Sequence, residues 1–225
     1  MNINMKESIT KKQSVVIWLH GLGSNAQDMA GLADALTVDK ASLRHVFLSA
    51  PIRAVTINHG VKMPAWYDIL GTSLLDRQDC QGMTESQQML NQAINQEIAN
   101  GVQSHNIYIA GFSQGAAVAL YAGLSYPKPL GGLIILSGYL PCREQIKYQQ
   151  HLQIPIFVGV GLHDDMVQPA WSYQSVTALL EQGYQSAQLF KYAMGHSVCI
   201  EEIKDISVWL QARIQSPYLS SLEVL

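Results

Sequence analysis

Apolar and polar positions along the chain follow two rhythms that take turns. Short runs dominated by apolar and β-branched residues predict strands at Ser14–Leu19, Arg44–Ser49, Asn106–Ala110, Gly132–Leu136, Ile154–Val160 and Ala187–Lys191. Between them, apolar residues return every three or four positions. That spacing predicts helices at Asn25–Leu36, Thr84–Asn100, Gln114–Ser125, Trp171–Gln182 and Cys199–Ile214, with a weaker one near Cys142–Gln150. Thr84–Asn100 is the clearest: Thr84 is a candidate cap, Leu90, Ala93, Ile94 and Ile98 keep one face, and Gly101 stops the helix. Val55-Thr-Ile57 and Val61-Lys-Met63 flank Asn58-His-Gly60, a hairpin pattern. Strands alternating with helices at this spacing predict the α/β class, with a mostly parallel central sheet and helices on both faces. No repeat or composition break divides the 225 residues, so residues 1–225 read as a single domain, with 1–13 and 215–225 as loose ends.

Composition narrows the function. Charged residues are 14% of the chain, against about 25% in a typical domain. Neutral amides take their place: there are 21 Gln, and the net charge is −3. A chain so poor in cations lacks the basic stripe that nucleic acid requires and the polybasic patch that anionic lipid requires. The apolar run after the lysines of residues 1–12 spans only Val15–Leu19, too short for a signal-peptide core. The longest uncharged stretch, Asn106–Pro127, is interrupted by Gly, Ser and Gln, so no spanning helix is expected. Cys80, Cys142 and Cys199 are odd in number and widely spaced, which fits neither a disulfide scaffold nor a zinc site. They are expected as isolated reduced thiols of a soluble cytoplasmic protein.

In a sheet of this class, sites form at the carboxyl ends of the strands. Gly111-Phe-Ser-Gln-Gly115 follows one strand and opens a helix, the context that a nucleophile elbow requires. A sharp turn there leaves no room for side chains two residues either side of Ser113, and the glycines supply that room. The next N–H, on Gln114, lies at a helix N-terminus and suits an oxyanion. A serine needs a base. Of the seven histidines, only His196 falls between the last predicted strand and the last helix. The strand ending at Val160 leads into Gly161-Leu-His-Asp-Asp165, where Asp164 and Asp165 compete to orient that base, and spacing alone does not choose. His20-Gly-Leu-Gly23 follows the first strand. Beside the elbow, it makes the Leu22 N–H a candidate second oxyanion donor, with His20 bracing the loop. Met63-Pro-Ala-Trp-Tyr-Asp68 opens an aperiodic segment running to Gly82, a candidate pocket flap with Trp66, Leu74 and Leu75 as substrate contacts.

These motifs together resemble the acyl-protein thioesterase / carboxylesterase / lysophospholipase family of small α/β-hydrolases, over about Val15 to Leu210. The most specific pieces are VIWLHGLG at 16–23, MPAWYDI at 63–69, IYIAGFSQG at 107–115 and GHSVCIEEIKDISVWL at 195–210. The resemblance implies an α/β-hydrolase fold with no large cap domain. It implies a Ser113–Asp164–His196 triad, with Leu22 and Gln114 as oxyanion donors. It aligns the acid with Asp164 through a Gly-x-x-Asp-x-x-Val run, although the usual proline comes one residue late, at Pro169. The implied function is a serine carboxylic-ester hydrolase working through an acyl-enzyme without metal or cofactor. Its partners would be small-molecule or lipid acyl esters or an S-acylated protein. The rival readings are an amide-bond hydrolase and a non-catalytic scaffold of the same fold. The oligomeric state stays open, a homodimer included.

Overall fold

The first strand, β1 (Ser14–Leu19), has no exposed face. Val15, Ile17 and Leu19 point into one apolar cluster and Val16 and Trp18 into another, all without solvent contact. A strand buried on both sides belongs inside a sheet covered by helices on both faces. The structure, a computed structural model, describes residues 13–71, 73, 77–148 and 151–215. Among these, β1, β2 (Leu43–Leu48), β5 (Ile107–Phe112), β6 (Gly132–Leu136), β7 (Ile156–Gly161) and β8 (Ala187–Tyr192) form one parallel sheet in the order β2-β1-β5-β6-β7-β8. A separate antiparallel hairpin, β3 (Ile52–Val55) with β4 (Val61–Pro64), turns at His59 and Gly60, both with positive φ.

Helices α2 (Cys80–Ala99), α3 (Gln114–Ser125) and α4 (Pro169–Glu181) cover one face, and α1 (Ala26–Asp34) and α5 (Ile200–Gln215) the other. Asn25 caps α1 by accepting from the Gln27 and Asp28 N–H groups. Helix α3 is buried nearly all round, which its Ala-rich, uncharged sequence permits. The expected α/β class, parallel sheet and two-sided cover are therefore present. No helix among the described residues is long and apolar enough to cross a membrane.

Three expectations change. Helix α2 begins four residues early. Asp79, not Thr84, caps it, accepting from the Gly82 N–H, while the Thr84 hydroxyl donates back to the Cys80 carbonyl. The stretch from Cys142 forms only a short 3-10 turn, Arg143–Gln145, in place of a helix, and residues 149 and 150 lie outside the described residues. Third, Cys80 and Cys142 are not free thiols. They form a disulfide between the first residue of α2 and the loop after β6, leaving Cys199 as the free cysteine. Nothing in their wide spacing pointed to this, because the fold brings together residues 62 apart in sequence. The loose ends expected at the termini fall almost entirely outside the described residues.

Denatured without reductant, the protein is expected to present the Cys199 thiol alone to a thiol reagent, and all three after reduction. Cys142→Ser should lower the unfolding free energy by about 2–4 kcal/mol, read from denaturant melts. An unreduced protein that titrates three thiols would overturn the bridge.

Candidate active site

The site is built where β1, β5, β7 and β8 end on the same edge of the sheet. Ser113 sits in the turn between β5 and α3 with φ 54° and ψ −117°, a conformation rare for a side-chain-bearing residue. Its N–H donates to the Leu136 carbonyl of β6 at 2.9 Å, which pins the turn to the neighbouring strand. A Cβ on Gly111 would overlap the Gly115 backbone, and one on Gly115 would overlap the carbonyls of Leu19 and His20. Both glycines are thus demanded by close approach of backbone to backbone.

The chain after β1 is locked in place by His20. Its Nδ1–H donates to the Gly21 carbonyl at 2.7 Å and its Nε2 accepts the Ala50 N–H at 3.0 Å. Burial lowers its pKa, in keeping with this neutral form. His20 is therefore a bracing residue. Trp66, expected to touch substrate, is instead wholly buried and donates through Nε1 to the His20 carbonyl at 2.8 Å. The Gln114 side chain joins the two regions, accepting the Trp66 N–H at 2.8 Å and donating to the Tyr67 carbonyl at 2.7 Å. The MPAWYD run is thus tied to the elbow through Trp66 and Tyr67.

His196, in the loop between β8 and α5, places Nε2 2.9 Å from Ser113 Oγ and Nδ1 2.8 Å from Asp164 Oδ2. The Phe112 ring packs on the imidazole at 4.8 Å between centroids. Asp164 is buried, and its other oxygen accepts the N–H groups of Met166 and Val167 at 3.0 and 2.8 Å. Those two bonds fix the carboxylate, and its remaining oxygen faces the imidazole. Asp165 is exposed and lines the cavity in front of the serine. Between the two aspartates that spacing could not separate, the hydrogen bond to His196 belongs to Asp164.

A cavity of about 680 Å³ opens at Ser113, with Leu22 and Gln114 among its lining residues. Met29, Ile57, Ile69, Val167 and Val198 give it an apolar lining. At one side Tyr67 and Tyr139 join their hydroxyls at 2.9 Å. Burial raises both phenols, Tyr139 to about 12. The sequence flagged the run containing Tyr67 but gave no signal for Tyr139, Met29 or Ile57, which arrive from separate elements. Leu74 and Leu75, the expected flap contacts, lie outside the described residues.

A serine, an imidazole and a fixed carboxylate lie in hydrogen-bonded sequence beside an apolar cavity on an α/β-hydrolase fold, the arrangement that serine-hydrolase chemistry requires. The chain belongs to the phospholipase/carboxylesterase family, whose model matches residues 2–214. It is 39% identical over 172 residues to acyl-protein thioesterase 1 of Schizosaccharomyces pombe, covering 74% of this chain and 75% of that protein. A probable carboxylesterase of Oryza sativa is 30% identical over 218 residues, covering 94% and 82%. The crystal structure of Arabidopsis thaliana SOBER1 superposes with a TM-score of 0.84 at 29% identity, over 90% of this chain and 100% of that one. With these relatives, the protein is a hydrolase of esters or thioesters.

Gly115→Ala tests the elbow. The added methyl would overlap main-chain atoms of Leu19 and His20, so α3 must shift and carry Ser113 with it. The expected result is a loss of esterase activity of about 10²-fold, since a displacement near 1 Å is that costly, with a lowered melting temperature. Unchanged activity in a folded variant would show that the contact is not rigid.

Proposed function

We propose that the protein hydrolyses carboxylic esters and thioesters of apolar acyl groups by a Ser113–His196–Asp164 triad through an acyl-enzyme. The observation that carries this reading is the pair of hydrogen bonds, Ser113 Oγ to His196 Nε2 and His196 Nδ1 to Asp164 Oδ2, opening onto the apolar cavity. Ser113 Oγ attacks the acyl carbonyl carbon while its proton passes to His196 Nε2. Asp164 keeps the proton on Nδ1 and balances the imidazolium without taking a proton itself. The carbonyl oxygen gathers negative charge, which the N–H groups of Leu22 and Gln114 stabilise. As the tetrahedral adduct collapses, His196 Nε2 returns its proton to the leaving oxygen or sulfur. Water then enters, loses its proton to His196 and attacks the acyl-enzyme carbonyl. The acid leaves and Ser113 Oγ recovers its proton.

The acyl chain finds its apolar surroundings in the cavity that Met29, Ile57, Tyr67, Ile69 and Tyr139 line. The names of the relatives, acyl-protein thioesterase and carboxylesterase, support an S-acylated protein or a small acyl ester as substrate. A cytoplasmic setting agrees poorly with the Cys80–Cys142 bridge, because the cytosol keeps thiols reduced. The bridge favours an oxidising compartment.

Ser113→Ala should abolish labelling by a fluorophosphonate and reduce ester hydrolysis by about 10³-fold or more. Asp164→Asn should lower kcat by up to about 10⁴-fold, because the amide favours the wrong imidazole tautomer. Asp165→Asn should change kcat far less. A reversed ranking of the two aspartates, measured with an ester and a thioester of the same acyl chain, would move the acid to Asp165. Turnover of the matching amide at a comparable rate would change the bond class.

A further inference from the structure

Outside the triad, the described residues include a buried acid that neither the reaction nor an ion pair explains. Glu202, in the first turn of α5, has no solvent exposure, and neither carboxyl oxygen has a hydrogen-bond partner. The carboxyl fills the place a side chain would take on Gly159 of β7, since a Cβ there would overlap Oε1. That seat lies beneath the join between two catalytic elements. Two residues beyond Gly159, β7 ends at Gly161 and runs into Asp164. Six residues before Glu202 stands His196. The two segments are laced together by bonds from the Leu162 N–H to the Tyr192 carbonyl at 2.8 Å and from the His163 N–H to the Met194 carbonyl at 3.0 Å. Gly161 also packs against the carbonyls of Met194 and Gly195.

We propose that Glu202 is a positioning residue: its carboxyl group, seated against Gly159, holds the His196 loop and α5 on the end of β7, and so sets the alignment of His196 with Asp164. The inference rests on the triad reading given above. The seat accepts a neutral acid and rejects an anion. The groups facing it are Asp205 from the next turn of α5, whose carboxylate accepts the Tyr192 hydroxyl, then Tyr192 itself from β8, and Cys199 from the loop before the helix. From β7 it meets Gly159 beside the Phe157 ring. None of these is a cation. Burial first, and the Asp205 charge second, push the Glu202 acid up to about 8. The folded chain therefore holds a proton that the unfolded chain releases in the ordinary carboxylate range. The stabilisation is complete below that range and is lost as pH rises to about 8. Ionisation then places an uncompensated charge under the join, and the loop carrying His196 lifts from β7.

The test is kcat and KM against pH for the wild type, Glu202→Gln and Glu202→Ala. The wild type should lose kcat, not KM, on an alkaline limb near pH 8. Glu202→Gln, the same shape without an ionisable group, should lack that limb and should also lack the fall in melting temperature that the wild type shows between the ordinary carboxylate range and about pH 8. Glu202→Ala should lower kcat by about 10–100-fold at neutral pH, as misplacement of a catalytic group does. A Glu202→Gln variant that keeps the wild-type limb overturns the proposal. Should neither variant fold, infrared spectra of wild-type protein carrying isotope-labelled glutamate decide. A protonated glutamate carbonyl band at neutral pH that vanishes on the alkaline side supports the proposal, and its absence overturns it. Fluorophosphonate labelling of Ser113 runs alongside. Failure to label removes the triad and this proposal together, whereas labelling with an unmoved pH profile removes this proposal alone.

Discussion

Main chain touches main chain where Gly115 meets the carbonyls of Leu19 and His20, and much of the site hangs from that contact. It forces the first turn of α3 directly onto the end of β1. The chain between β5 and α3 then has to turn within a few atoms, which puts Ser113 at a positive φ and lifts its hydroxyl clear of the sheet. The same contact brings the chain after β1, with Leu22, alongside the N-terminus of α3, with Gln114. Two donor-bearing segments from distant parts of the sequence thereby share one cavity with the serine. A strained turn persists only where its surroundings over-determine it. Here the surroundings are the Ser113–Leu136 backbone bond, the buried α3 and the Gln114 clamp on residues 66 and 67.

The hydrogen-bonded pair of Asp164 and His196 is held by a different device. Asp164 and His196 arrive from adjacent parallel strands, β7 and β8, and backbone bonds between the two loops keep them in step. Asp164 spends one oxygen on its own loop and keeps the other for His196. This division of labour fixes the carboxylate through two backbone N–H groups on one oxygen and the imidazole on the other. Beneath that join lies Glu202, a buried acid with neither a partner nor a cation, where an apolar side chain would have satisfied packing alone.

The wall of the cavity beyond the catalytic edge depends on a covalent tie. The Cys80–Cys142 bridge joins the start of α2 to the loop that follows Tyr139. Asp79, capping α2, also accepts the Asp68 N–H, and the Gln78 side chain accepts the Cys142 N–H at 2.5 Å. The residues on which Tyr67, Ile69 and Tyr139 stand are thus tied to one helix terminus.

Local pattern was enough for the α/β class, the extents of β1, α3 and β6, and the candidacy of Ser113, His196 and the Leu22 and Gln114 donors. Each follows from neighbours in sequence: an all-apolar run demands two-sided burial, and glycines two residues either side of a serine demand a tight turn. Spacing alone left Asp164 and Asp165 level, and only the resemblance to the family pointed to Asp164, because which carboxylate reaches an imidazole depends on how two loops from different strands are laced. It misplaced Trp66, since an aromatic residue in a motif reads the same whether it faces a substrate or the back of a loop. It missed Tyr139 and the disulfide for a shared reason. Their meaning lies in contacts between residues about sixty or more positions apart, and those contacts exist only once α2 has packed on the sheet that contains β6.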